Sequence, residues 1–378
     1  MAAFYPRFSS GEMTERRRAI GAVMEERGLD HFVVYGADRS GSAVQWFSGW
    51  PVTREGALLI APGNRDVLFV QFYNHVPNAR AMTTEVDVRW GGESTAGSVV
   101  SELERRGAAR VGLIGPLRHH DHARLAAAVE LVPLDADYRR LRLVKSDEEL
   151  QWLRRGTLLS DRAIEALRDH AVPGMTEAEV SAVVESAYVS EGGTNHIHYI
   201  GVTTMDEPDL CVPAQWPSQR RLTVGDVLTA EISASWWGYP GQILRTMTVG
   251  AEPSAGVREL HDVAQSAFDE IVAVLRAGVT AEEIVEAASV IEESGFTIYD
   301  DLVHGYVGGY WPPVLRIRSQ MESGVPEFTF GAGMVVVVQP NVITKDELLG
   351  VQTGELVLIG RDGAERLHGV PSGIWRIG

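Results

Sequence analysis

The stretch LTVGDVLTAEISASWWGYPGQILRTMTVG, residues Leu222–Gly250, decides the fold of the second half of this chain. Two strongly apolar runs within it, Val227–Ser233 and Leu244–Val249, predict two buried strands. Glu231 lies within the first of these apolar runs, and Gln242 lies between the two runs. Because a buried polar group without a partner costs about 1–3 kcal/mol, these two positions indicate a functional site.

The sequence on either side of this stretch extends the pattern. Before it, the capping box Ser146–Glu149 opens a predicted helix, and a second helix is predicted over Thr176–Ser190. After it, helices are predicted at Gly256–Ala277 and Thr280–Ser294, and apolar runs at Met334–Val338 and Leu356–Ile359 predict further strands. Helices first, then strands interleaved with helices, predict the α+β class for this half.

The first part of the chain has a different texture, in which helical stretches alternate with apolar strands. Strands are predicted at Asp30–Tyr35, Ala57–Ala61 and Asp66–Gln71, after a helical stretch at Met13–Arg27. This alternation predicts a smaller α/β domain. A chain of 378 residues is long enough for two domains, which we place at residues 1–140 and 141–378.

The amino-acid composition of the chain argues against some classes of binding partner. The formal net charge is −17, from 51 acidic and 34 basic residues, which argues against nucleic acid and anionic membranes as partners. No apolar run approaches the roughly 20 residues that span a bilayer, and the first residues do not read as a secretory signal. The single cysteine, Cys211, fits a reducing compartment, so we predict a cytoplasmic protein.

Five segments of this sequence resemble motifs of the creatinase and aminopeptidase "pita-bread" superfamily, which includes prolidases. Their order and spacing along the chain also resemble those of the superfamily. The segments are LRLVKSDEELQWLRRG from Leu141, Leu222–Gly250, VHGYVGG (Val303–Gly309), GAGMVVVVQP (Gly331–Pro340) and DGAE (Asp362–Glu365). The resemblance implies a pita-bread C-terminal catalytic domain behind a smaller N-terminal α/β domain, as in creatinase and prolidase. It also implies a homodimer.

The superfamily holds two divalent metal ions with two Asp, one His and two Glu. The matching positions of this chain are Glu231, Gln242, His304, Gln339 and Gly354, with Glu355 beside the last. An amide brings no negative charge, so two dications here would be almost uncompensated. We therefore predict no metal ligands and no cofactor.

Without metal, the resemblance to creatinase implies hydrolysis by side chains alone. We predict a metal-independent, creatinase-like hydrolase that cleaves a C–N bond of a small amide or guanidino compound. Glu231 is the candidate general base, since burial should raise its pKa, unless it forms an ion pair with Arg245. His304 is the candidate acid/base partner. Cys211 is a candidate nucleophile if an imidazole lies near it, or else a structural cysteine.

Further residues are predicted to bind the small-molecule substrate. Gln242 and Gln339 would hold its polar group, and the alternation His196-Ile-His198 fits a strand with both histidines on one face, toward either a pocket or an interface. Tyr310 and Trp311 would give the pocket flat apolar walls, which suit a small planar compound better than an extended peptide.

Three alternatives remain open from the sequence. The same residues could catalyse a non-hydrolytic proton transfer, as in a lyase or cyclase. The pocket could belong to a non-catalytic binding protein. A metal-dependent Xaa-Pro aminopeptidase or prolidase is the third alternative, and peptidase activity is expected to be unlikely with Gln339 at a glutamate position.

Overall fold

The computed structural model describes residues 5–37, 43–306 and 309–378. The chain divides into two compact units, Met1–Arg142 and Leu143–Gly378. Each unit is built around its own clusters of buried apolar side chains. Within the described ranges, no helix has the length and apolar character needed to cross a membrane.

The first unit contains a mixed sheet with strand order β4-β3-β2-β1-β5-β6. Its strands are β1 (His31–Ala37), β2 (Glu55–Ile60), β3 (Asp66–Val70), β4 (Val86–Trp90), β5 (Arg110–Ile114) and β6 (Glu130–Pro133). Its helices are α1 (Ser10–Arg27), α2 (Ala43–Ser48), α3 (Val76–Met82), α4 (Thr95–Arg106), α5 (His119–Ala128) and α6 (Asp135–Leu143). Only the pairs β1–β2 and β2–β3 are antiparallel in this sheet. The predicted α/β layering of this part is therefore confirmed.

The second unit starts with helices and continues with strands. The helices are α7 (Asp147–His170), α8 (Glu177–Val189), α9 (Ala255–Val274), α10 (Ala281–Ala287) and α11 (Val290–Glu293). The strands are β7 (Thr194–Thr204), β8 (Asp226–Trp236), β9 (Tyr239–Val249), β10 (Thr297–Ile298), β11 (Val303–Tyr306), β12 (Tyr310–Leu315), β13 (Val335–Val338), β14 (Val342–Ile343), β15 (Gly354–Ile359), β16 (Ala364–Arg366) and β17 (Trp375–Ile377). Its main sheet has the order β12-β11-β13-β15-β9-β8-β7. This is the predicted α+β architecture.

The hairpin β8–β9 is the centre of this sheet. Its turn places Trp237 at φ 48° and Gly238 at φ 81°, a left-handed conformation that glycine adopts without steric cost. Antiparallel pairing then aligns Glu231 with Leu244 and Gln242 with Ser233. Nearly every residue of both strands is buried, so the two polar side chains are held inside the unit.

Helix α7 crosses this hairpin at very short range. A Cβ atom on Gly156 would lie 2.2 Å from the carbonyl oxygen of Tyr239, and one on Gly241 would lie 2.4 Å from Cα of Thr157. Both positions therefore require glycine, because any larger residue would force the helix away from the strand. The close approach fixes the backbone of β9 immediately before Gln242.

One predicted element is divided in the structure. The sequence pattern over Thr280–Ser294 predicts a single helix, but the chain forms α10 and α11 with a break between them. At the break, the amide groups of Ala288 and Ser289 donate to the carbonyls of Val285 and Glu286, three residues earlier. This tighter bonding ends α10 and changes the direction of the chain before α11 begins.

Candidate functional site

The second unit contains a cavity of about 400 Å³ over the hairpin β8–β9. Five of the residues predicted from the sequence line it, namely Glu231, Gln242, His304, Gln339 and Tyr310. Its other lining residues are Ile197, Tyr199, Val212, Pro213, Gln215, Tyr299, Asp300 and Gln352. The structure thus brings together side chains from β7, β8, β9, β11, β12 and the end of β13.

The buried polar groups of the cavity form a continuous chain of hydrogen bonds. The Gln242 Nε2 group donates to Glu231 Oε1 at 2.8 Å and to Gln339 Oε1 at 3.0 Å. The Gln339 Nε2 group donates in turn to Asp300 Oδ2 at 2.9 Å. Each amide is buried, so these bonds offset the cost of removing the amides from water. These hydrogen bonds fix the rotamers of both glutamines.

Glu231 has the chemistry of a proton-transfer group. Burial, and to a smaller extent the charge of Asp300, raises the pKa of Glu231 to about 8. No ion pair with Arg245 forms, because that guanidinium binds Glu355, with 2.7 Å between Nη2 and Oε2. A carboxyl group whose pKa lies near neutrality can both take up and release a proton under ordinary conditions.

His304 lines the same cavity as Glu231, and its environment favours the neutral imidazole. Burial lowers the pKa of His304, and its Nδ1 group donates to the Gly305 carbonyl at 3.0 Å. The Tyr310 ring packs against the imidazole, with 4.6 Å between the ring centroids. Trp311, the next residue on β12, is absent from the lining of the cavity, so the predicted flat wall comes from Tyr310.

Neither histidine of β7 is among the described residues that line the cavity. The register of β7 against β8 shifts between Asn195 and Ile197, and the residues of β7 that line the cavity are Ile197 and Tyr199. The His198 ring is directed to α8 instead, where its Nε2 atom shares a hydrogen bond of 3.1 Å with the Tyr188 hydroxyl. His196 is also missing from the lining. Ile197 and Tyr199 thus occupy the cavity face of β7, and substrate binding by His196 and His198 stays a prediction.

Cys211 lies in surroundings that disfavour a nucleophile. The side chain is buried, and burial together with the charges of Glu347 and Asp346 raises the pKa of its thiol. The thiolate is the reactive form of cysteine, and this environment opposes its formation. Its neighbours Val212 and Pro213 line the cavity, whereas Cys211 does not. The structure therefore gives no support to covalent catalysis by this residue.

Asp300 and Asp301 are site residues that the sequence analysis did not single out. Asp300 lines the cavity, and Asp301 beside it is fully buried. Burial and the neighbouring Asp300 raise the pKa of Asp301. The sequence did contain a signal for them, since a doublet of carboxylates interrupts an apolar stretch directly before the strand that carries His304.

An α+β unit with a polar cavity on its central hairpin, preceded by an α/β unit, is the two-domain arrangement of the pita-bread type. The chain belongs to metallopeptidase family M24, whose family model matches residues 151–361. The model of the creatinase/prolidase N-terminal domain matches residues 16–144. The predicted resemblance to the creatinase and prolidase superfamily, and the predicted fold, are thereby confirmed.

Individual relatives agree with this placement. The chain is 30% identical over 251 residues to a probable dipeptidase PepE of Mycobacterium tuberculosis, covering 65% of this chain and 64% of that protein. It is 25% identical over 344 residues to the uncharacterized peptidase YqhT of Bacillus subtilis, covering 89% and 92% of the two chains. The chain thus spans just under two thirds of the length of the first of these relatives.

Solved structures show the same fold. An Xaa-Pro dipeptidase from Bacillus anthracis superposes with a TM-score of 0.82 at 21% identity, covering 97% of this chain and 100% of that chain. The dipeptidase PepE from Mycobacterium ulcerans gives a TM-score of 0.80 at 23% identity, covering 98% and 100%.

The names of these relatives contradict two predictions made from the sequence. A metal-independent, creatinase-like hydrolase of a non-peptide C–N bond was expected, and peptidase activity was expected to be unlikely. The relatives are named as peptidases and dipeptidases, so both predictions are wrong. A change in the residues at the metal-ligand positions does not by itself imply a change of substrate class.

The residues of this site do not fit two metal ions. Among the described residues, no group of three His, Cys, Asp or Glu side chains is arranged to hold a metal ion. At the positions that resemble ligands, Gln242 and Gln339 use their amide nitrogens to donate to Glu231 and Asp300. These contacts point amide hydrogens at the carboxylates that would have to face the metal, which needs oxygen or imidazole ligands.

The last ligand position is closed by packing. A Cβ atom on Gly354 would lie 2.5 Å from the Val338 carbonyl oxygen and 2.8 Å from Cα of Gln339. The adjacent Glu355 is fully buried and binds Arg245 and Arg366, at 2.7 and 2.6 Å. Neither position supplies a carboxylate to the cavity.

We expect the substitution Gly354→Ala to lower the free energy of unfolding by about 1–3 kcal/mol, because the added methyl group has no space between β13 and β15. Urea unfolding monitored by circular dichroism measures this loss. The matched control is Gly363→Ala, since a Cβ atom there would meet nothing within 4 Å. Equal stability of the two variants would contradict the packing described for Gly354.

Proposed function

We propose that this chain hydrolyses the peptide bond of short peptides in the cavity over β8–β9, with Glu231 as the group that moves the proton. The observation that carries the proposal is the buried Glu231 carboxyl, whose pKa is raised to about 8, on the wall of that cavity. Relatives named as dipeptidases and Xaa-Pro dipeptidases support a peptide substrate.

Glu231 would act first as a base and then as an acid. Its carboxylate takes a proton from a water molecule as the water oxygen bonds to the carbonyl carbon of the peptide. The C–N bond then breaks, and the protonated Glu231 gives its proton to the leaving amine. This step regenerates the Glu231 carboxylate. Gln242 occupies Glu231 Oε1, which leaves the other carboxyl oxygen for water.

The remaining polar residues would orient the substrate. The rotamers of Gln242 and Gln339 are fixed by their hydrogen bonds, so the amides form a rigid wall on one side of the cavity. His304 is neutral near pH 7 because burial lowers its pKa, so it would act as a hydrogen-bonding group there. Tyr310, whose ring is tilted by 37° against that of His304, would cover the substrate from the open side.

The setting of the activity also remains a proposal. A homodimer is inferred only from the superfamily resemblance, and a cytoplasmic location is inferred from the single cysteine. A net charge of −17 supports a small-molecule or peptide partner rather than nucleic acid or an anionic membrane.

We expect the substitution Glu231→Gln to lower kcat by about 100-fold or more, because the amide cannot accept the proton from water. The assay measures amino acids released from alanylproline and a panel of other dipeptides, with and without added manganese, cobalt or zinc. The control is Glu322→Gln, at an exposed position of the same unit. An unchanged rate in Glu231→Gln, or no dipeptide hydrolysis by the unaltered chain in any condition, would overturn the proposal.

The pH dependence should follow the ionisation of Glu231. Because the active form of a general base is the carboxylate, kcat/KM should rise with pH and level off above about 8. In Asp300→Asn the midpoint should move to lower pH, because a negative charge that raises the pKa of Glu231 is removed. Burial remains, so the midpoint should stay above that of an ordinary glutamate.

Carbon-13 NMR of the side-chain carboxyl groups measures the pKa of Glu231 directly, with Glu231→Gln to assign the signal. This measurement does not depend on activity. A midpoint that is the same with and without the Asp300 charge would show that the two carboxyl groups do not interact.

A further inference from the structure

The first unit contains a cavity of its own, with a volume of about 460 Å³. It lies between one face of α1, the turn that joins β2 to β3, and the start of β4. Its floor is apolar, formed by Met13, Ile20 and Met24 of α1 and by Ile60 at the end of β2. Sites for small molecules in proteins have volumes of about 300–1,000 Å³ and floors of this kind.

Gly21 keeps this cavity open. It lies in the middle of α1, where glycine is less favourable than any other residue except proline. A Cβ atom on Gly21 would meet nothing within 4 Å, so packing does not require glycine there. The helix therefore contains a residue that lowers its stability, and the space that this residue leaves belongs to the cavity.

Two opposite charges stand next to each other at the mouth of the cavity. The parallel strands β3 and β4 begin with Asp66 paired to Val86, so the preceding residues, Arg65 and Glu85, are neighbours. Both are exposed, and both line the cavity. Within the described ranges, neither side chain forms an ion pair. Both charges are thus available to a ligand.

The backbone of Glu85 supports a role for this residue. Its φ is 61°, a left-handed conformation that residues other than glycine rarely adopt. Strained backbone of this kind is concentrated at functional sites, because the surrounding structure must hold it in place. The chain accepts this strain at a residue that lines the cavity.

The other two charged groups of the cavity neutralise each other. The Arg17 Nε group donates to Asp66 Oδ2 at 2.5 Å, and the two residues form an ion pair in the cavity wall. The charges that remain for a ligand are therefore one cation, Arg65, and one anion, Glu85. A ligand that carries a single charge would satisfy only one of them.

We propose that this cavity binds a free aromatic α-amino acid. An α-amino acid carries its ammonium and carboxylate groups on one carbon atom, which matches the neighbouring charges of Glu85 and Arg65. Its ring would lie on the apolar floor, where the thioethers of Met13 and Met24 make favourable contacts with aromatic rings. The proposal does not depend on the peptidase activity.

The test measures affinities by isothermal calorimetry on the full chain. The probes are L-phenylalanine, its N-acetyl derivative, its amide and L-alanine. Acetylation removes the positive charge and amidation removes the negative charge, so each should weaken binding by about 10-fold or more. L-Alanine should also bind at least about 10-fold more weakly, because it has no ring to bury.

Variants locate the site in the first unit. Gly21→Phe should weaken binding of L-phenylalanine by about 10-fold or more, because the added ring occupies the open space. The matched control is Ala22→Phe, which adds the same ring at the next, exposed position of α1, outside the cavity lining. Arg65→Gln should remove the preference for the acid over its amide, and Glu85→Gln the preference over the N-acetyl derivative.

Circular dichroism first establishes that each variant is folded. If Gly21→Phe does not fold, the variants of the exposed residues Arg65 and Glu85 decide the outcome. Absence of saturable binding by L-phenylalanine, or equal affinity for all four probes, would overturn the proposal. Binding that is the same in the unaltered chain and in every folded cavity variant would also overturn it, because the ligand would then bind elsewhere.

Discussion

The two hydrogen bonds donated by the Gln242 amide are the interaction on which the site depends. They join Glu231 on β8 to Gln339 at the end of β13. The Gln339 amide extends this series of hydrogen bonds to Asp300. Side chains from the hairpin β8–β9, from the connection before β11 and from the end of β13 therefore meet through polar groups. Because a buried amide must be satisfied, removing any member would leave others without partners, which gives these residues one shared geometry.

This network also explains how the electrostatics of the cavity are maintained. The amides satisfy carboxyl groups without adding positive charge, so the repulsion among Glu231, Asp300 and Asp301 is not cancelled by the protein itself. Burial, and to a smaller extent this repulsion, raises the pKa of Glu231.

The sequence predicted the fold and much of the cavity because both depend on periodic apolar strands. Glu231, Gln242 and Gln339 were detectable because a polar residue among buried apolar ones must have a reason to be there. Placement was incomplete on β7, because strand alternation puts Ile197 and Tyr199 on the cavity face and His198 on the face toward α8. Asp300 was missed because it lies in a connection between strands, where carboxylates are common and periodicity gives no guidance.

The packing around Gly354 constrains how this site could change by successive substitutions. A glutamate at residue 354 would collide with Val338 and Gln339, so it could appear only after the chain had relaxed there. A glutamate at residue 339 would lose the amide that Asp300 now accepts from, placing two carboxylates side by side. Each single step toward a carboxylate-rich centre is therefore unfavourable without the others. Conversion of this site to a metal-binding site would therefore require several interdependent substitutions to occur together.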